Sequence, residues 1–101
     1  MSRYYLASAT ITNPKPEREI AITEALADFW DFEDVETTKN GLCTQEQGYL
    51  TAGTTEDEFA RELAECVWAA NQGFCEVTVV MTYLEELPCE EYLFAKQEEY
   101  D

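Results

Sequence analysis

The chain has no histidine, and only 6 of its 101 residues are Lys or Arg. Without histidine, mixed Cys/His zinc sites are excluded, and so is every Ser-His or Cys-His nucleophile arrangement. The scarcity of cations, set against 22 Asp and Glu, leaves a net charge of −16. Direct binding to nucleic-acid phosphate is thereby disfavoured, because affinity there comes mostly from Lys and Arg. No apolar run approaches the ~18 residues of a membrane-spanning helix. The opening Met1-Ser2-Arg3-Tyr4-Tyr5 has no secretory h-region or small-residue cleavage site, so a cytoplasmic location is expected. The four cysteines, Cys43, Cys66, Cys75 and Cys89, show no C-x2-C to C-x4-C pair, which removes the usual signature of a structural zinc site. In a reducing compartment they are expected as thiols that behave like small apolar groups. No calcium-loop spacing and no catalytic motif is present. No enzyme activity, no metal and no cofactor are therefore expected. Loose binding of a divalent ion by Glu85-Glu86 and Glu90-Glu91 and acid–base work by paired carboxylates are the weaker readings of the same residues.

What is present is a globular composition. The 46% hydrophobic and 13% aromatic content argues against disorder despite the charge. The length suits one domain spanning residues 1–101, with residues 97–101 as a frayed acidic tail. No internal repeat or low-complexity linker is visible.

Arg3 to Thr12 reads as a strand in which Tyr5, Ala7, Ala9 and Ile11 alternate with Tyr4, Leu6, Ser8 and Thr10. Asn13-Pro14-Lys15-Pro16 stops it. Glu17 to about Phe32 reads as a helix, with Ile22, Ala25, Leu26, Phe29 and Phe32 on one face and Glu24, Asp28 and Asp31 on the other. Trp30 falls at the edge of that apolar face. Two strands are expected between Glu33 and Thr54. Either Asn40-Gly41 or Gln45-Glu46-Gln47-Gly48 could be the turn that joins them.

Thr54 to Gln72 is the clearest helix. Thr55-Glu56-Asp57-Glu58 has the form of a capping box, and Phe59, Leu63, Cys66, Val67 and Ala70 make an apolar stripe. Gly73 is placed where a left-handed cap is expected. Phe74 to Leu84 reads as a strand with Cys75, Val77, Val79, Met81 and Tyr83 on one side, and Tyr92 to Ala95 as a short closing strand. The order β-α-β-β-α-β predicts an α+β, ferredoxin-like fold. Two helices would cover one face of an antiparallel sheet, with an extra C-terminal strand allowed. The other sheet face, carrying Tyr4, Leu6 and Tyr92, would be left open.

The charge is uneven. Residues 1–40 carry eight acids and four bases, whereas residues 41–101 carry fourteen acids and two bases. Glu58, Glu62 and Glu65 recur at helical spacing beside Asp57, and Glu85, Glu86, Glu90 and Glu91 flank Pro88. Such runs are commonly no more than a solvated face. Here, however, they lie in folded elements of a chain whose self-repulsion opposes compaction. Trp68 lies about 180° around the helix from Phe59 at ~100° per residue, among Asp57, Arg61 and Glu65. An exposed tryptophan there would serve as an interface anchor.

In size, charge and layout the whole chain resembles the small acidic inhibitors of phages and mobile elements, the DNA-mimic and anti-CRISPR type. That group has no shared fold or signature motif, so no residue role is carried over by alignment. The resemblance implies a stoichiometric inhibitor of a nucleic-acid-binding defence complex, such as a CRISPR effector or a restriction enzyme. Its partner-binding surface is expected at Asp57, Glu58, Glu62, Glu65, Glu85, Glu86, Glu90 and Glu91, with Trp68 as anchor. The alternative is an acidic adaptor or small subunit that docks or homodimerises through the open sheet face.

Overall fold

The structure is a computed structural model that describes residues 3–30, 32, 34–50, 54–83 and 90–94. Glu85, Glu86, Cys89 and the C-terminal segment read above as a tail lie outside the described residues. The elements run β1 (Arg3–Thr12), a 3-10 turn (Pro16–Arg18), α1 (Glu19–Trp30), β2 (Glu36–Thr38), β3 (Gly41–Leu50), α2 (Glu56–Asn71), β4 (Glu76–Tyr83) and β5 (Glu90–Phe94). All strand pairings are antiparallel, in the order β2-β3-β1-β4-β5. The described residues thus form an α+β fold with a five-stranded antiparallel sheet and two α-helices.

The alternation of β1 places it at the centre. Tyr5, Ala7, Ala9 and Ile11 are all buried, and they meet Val77, Val79 and Met81 of β4 on the helix-facing side. Ile22, Leu26, Leu63 and Val67 of the two helices are buried in the same core as Ala7 and Ala9. The helices run antiparallel to each other: Phe29 meets Phe59 at 5.2 Å near one end, and Arg18 reaches the Ala70 carbonyl near the other.

The middle of the chain resolves to one of its two candidate turns. Thr38 pairs with Gly41, so Lys39-Asn40 forms the hairpin tip. A Cβ on Gly41, whose φ is 157°, would lie 2.0 Å from the Ile11 carbonyl oxygen, so β3 must open on glycine where it pairs beside β1. Gln45 to Gly48, the other turn candidate, instead runs straight through β3. Gly48 serves close approach rather than chain reversal. A Cβ there would lie 2.6 Å from the Trp30 ring, which is wedged between Phe32 and Phe59. Gly48→Ala should therefore destabilise the fold by roughly 1–3 kcal/mol through overpacking, outweighing the backbone-entropy gain. A melting temperature lowered by at least ~4 °C would be the readout; an unchanged or raised value would show that the indole moves freely.

The end of α2 also departs from expectation. Gln72, not Gly73, takes the left-handed conformation (φ 57°, ψ 42°), and the Gly73 N–H donates to the Trp68 carbonyl at 3.2 Å. The αL residue sits one position earlier because buried Asn71 ends the helix. The Asn71 side chain donates to the Gly73 carbonyl at 3.0 Å and ties the following turn back to itself.

Candidate functional site

The N-terminus of α2 is built as its sequence predicts. The Thr55 N–H donates to Glu58 Oε1 at 3.0 Å, and the Glu58 N–H donates to Thr55 Oγ1 at 3.3 Å. The Thr55 hydroxyl donates to Asp57 Oδ1 at 2.6 Å. Asp57 and Glu58 are therefore exposed but held by the cap, where the helix dipole favours carboxylates. Glu62 and Glu65 follow on the same helix, both exposed, with Arg61 Nε bonded to Glu65 Oε2 at 3.1 Å. Glu24 and Asp28 are exposed on the neighbouring α1. Their spacing places both on the outer side of α1, and the packing of the helices brings Asp28 beside Cys66 of α2.

The cations go elsewhere. Helix α2 has no basic residue in its last turn. Its terminal carbonyls are instead capped from the segment between β1 and α1: Arg18 Nε donates to the Ala70 oxygen at 2.8 Å and Lys15 Nζ to the Gln72 oxygen at 2.9 Å. Both charges oppose the negative end of the helix dipole. The Arg61 guanidinium lies over the Trp68 ring at 5.5 Å and the Phe94 ring at 5.9 Å. Three of the six cations are thus engaged in contacts that hold the fold, and of these Arg61 also pairs with Glu65 at the margin of the acidic face of α2.

Trp68 is not an exposed anchor. It is 2% exposed, its Nε1 donates to the Cys75 carbonyl at 2.7 Å, and its ring packs against Phe74 and Phe94. Strand β5 widens the sheet beyond β4, so α2 gains a second buried flank that a helical wheel does not show. Tyr92 is likewise corrected. Its pairing with Val79 places it on the helix-facing side rather than on the open face.

The open face does carry Tyr4 and Leu6, together with Tyr49. Tyr49, missed in the sequence, is 68% exposed and lies 4.7 Å from the Tyr4 ring. Only strand register could have found it. Glu91, opposite Val80, is exposed on this face, away from the helix layer. Of the expected acidic surface, the structure brings together Asp57, Glu58, Glu62 and Glu65. Glu90 opens β5, and its side chain is not described.

The three described cysteines are free thiols. Burial, and secondarily the Asp28 carboxylate, pushes the Cys66 thiol up, and burial pushes Cys75 up to about 11. Both are therefore protonated and poorly nucleophilic near neutral pH. Among the described residues no group of three or more Cys, Asp or Glu is placed to hold a metal ion.

No family model, no curated protein and no solved structure matches this chain. The surface must be interpreted from its own chemistry.

Proposed function

We propose that the protein is a stoichiometric inhibitor that presents a DNA-like acidic surface to the basic groove of a nucleic-acid-binding defence complex, such as a CRISPR effector or a restriction enzyme. The observation that carries this reading is the partition of charge. Glu24, Asp28, Glu58, Glu62 and Glu65 are exposed on two adjoining helices, while Lys15, Arg18 and Arg61 are engaged in structural contacts. Duplex DNA carries one negative charge per ~1.7 Å of axis. Rigid helices whose carboxylates recur every three to four residues offer Lys and Arg a field of similar sign and density. The protein would act in the cytoplasm of a cell carrying a phage or mobile element. Its layout is taken as ferredoxin-like with an added edge strand; the sheet order β2-β3-β1-β4 and the two helical connections support that assignment.

A tagged chain used as bait in host lysate, read by mass spectrometry at low and high salt, tests the proposal. A basic nucleic-acid-binding prey displaced by duplex DNA is expected. Asp28→Lys, Glu62→Lys and Glu65→Lys combined should weaken its capture at least ~100-fold, since like-charge contacts cost several kcal/mol. Glu58 is left intact in that variant because it closes the helix cap. Full capture by the reversed variant would end the mimicry reading.

A second reading rests on the pairing of exposed Tyr49 with Tyr4 on the open sheet face, beside Leu6. An acidic adaptor would dock or dimerise there. Tyr4 and Leu6 substitutions would then abolish binding, whereas the charge reversals would spare it.

A further inference from the structure

A shallow groove of ≈ 380 Å³ lies between α1 and β2, lined by Glu19, Ile20, Thr23, Glu24, Val35 and Leu42 among others. Three features coincide in it. Ile20 is 75% exposed on a helix whose other face, with Ile22 and Leu26, is core. The Thr23 hydroxyl is engaged with the Glu19 carbonyl at 2.9 Å, which leaves the wall between Ile20 and Val35 without a competing donor from that residue. Strand β2 ends the sheet, fully exposed, and the side of it away from β3 pairs with no strand among the described residues.

We propose that this groove takes an extended basic segment of a partner protein, which adds to the sheet alongside β2 and seats an aliphatic side chain against Ile20. An unpaired strand edge offers backbone donors and acceptors to an incoming chain, and alternate side chains of that chain then fall on one face. On the groove side they would meet Ile20, Val35 and Leu42. Glu19 and Glu24 line the groove, while Glu36 and Asp34 line a separate pocket with Ser8, Cys43 and Gln45, Glu36 lying by register on the opposite face of the sheet, so an incoming segment meets acids on both of its faces, which favours Lys and Arg in it. Lys39 lies beyond the far end of β2, at the hairpin tip. The site adjoins the acidic helix layer at Glu24 but lies apart from the α2 carboxylates, so it is a second point of attachment.

The probe is a blocked hexapeptide of alternating Lys and Val, titrated against the full chain by heteronuclear NMR. Saturable binding is expected, with amide shifts concentrated at residues 19–24 and 35–42. Ile20→Asp should weaken binding at least tenfold, a loss in line with removing an apolar anchor. The variant raises the local negative charge, so simple electrostatic attachment would instead tighten binding. Because Ile20 is exposed, the variant should fold, which its unperturbed spectrum outside the groove would confirm. Two peptides N-methylated on alternate amides should differ, one binding like the parent and the other losing affinity, because strand addition uses a single edge of the incoming chain. Absence of binding, equal binding of both methylated peptides, or unchanged or tighter binding to Ile20→Asp would overturn the proposal. The Asp28, Glu62 and Glu65 charge-reversed variant should bind the peptide as the parent does, so loss of the mimicking surface and loss of this groove are read separately.

Discussion

Trp68→Ala should lower the stability of the protein by about 3–5 kcal/mol, the range for truncating a buried aromatic residue. Trp68 heads the largest fully buried side chains. Its removal opens a cavity between α2 and the β4–β5 side of the sheet and strips the Cys75 carbonyl of its indole donor. Phe94 and the Arg61 guanidinium lose the ring they cover. A domain of this size holds only about 5–15 kcal/mol in total, so a substantial share of the margin disappears. Urea denaturation followed by far-UV dichroism measures the change, with a fall in midpoint at unaltered slope as the expected form. Trp68→Phe should recover part of the loss but not the hydrogen bond to Cys75. A loss below about 1 kcal/mol for the alanine variant would mean that the ring is not packed as described.

Asn71→Leu should cost roughly 2–4 kcal/mol although leucine is close to asparagine in size. Asn71 is fully buried. Its Oδ1 accepts from the Lys15 N–H at 2.8 Å, and its Nδ2 donates to the Gly73 and Phe74 carbonyls at 3.0 and 3.5 Å. Among the described residues no buried side-chain nitrogen or oxygen lacks a partner. The leucine variant removes the side-chain partner of one backbone donor and two backbone acceptors, at about 1–3 kcal/mol for each one left desolvated. The damage extends further, since this residue clamps the Pro14–Pro16 segment to the end of α2. Lys15 and Arg18 reach the α2 carbonyls from that segment. Amide hydrogen exchange separates this mechanism from general destabilisation. The Lys15 amide should lose protection beyond the global change in stability, and uniform loss across the sheet would argue against a local clamp.

Both expectations concern residues whose importance the linear sequence conceals. Asn71 reads as an ordinary polar residue near a helix end, and only its burial makes its hydrogen bonds costly to break. Trp68 reads as solvent-facing because helical periodicity reports the main core stripe and nothing about a strand that arrives later in the chain. Of the candidate surface, the four α2 acids were legible because their spacing and the Thr55 cap are local. Their grouping with Glu24 and Asp28 was not, because it depends on antiparallel packing of two helices.

By itself the sequence determined the features set by interactions over a few residues. These are the alternation of β1 and β4, the apolar stripes of both helices, the Thr55 capping box, the presence of a reversal near Asn40, which the structure centres on Lys39-Asn40, and the sum of charge. Backbone sterics and nearest-neighbour hydrogen bonds suffice for each of them. Tertiary structure alone decided which of these surfaces meets water. It carried Gln45 to Gly48 through as strand by pairing them with Ser8 to Tyr5 of β1, and it set the Trp30 ring over Gly48. It placed Tyr92 on the helix side by register with Val79, and it covered Trp68 with Phe94 and Arg61. It also drew Lys15 and Arg18 to the end of a helix that has no cation in its last turn. Burial and charge pairing arise from residues distant in the chain, and local periodicity carries no record of which distant residues will meet.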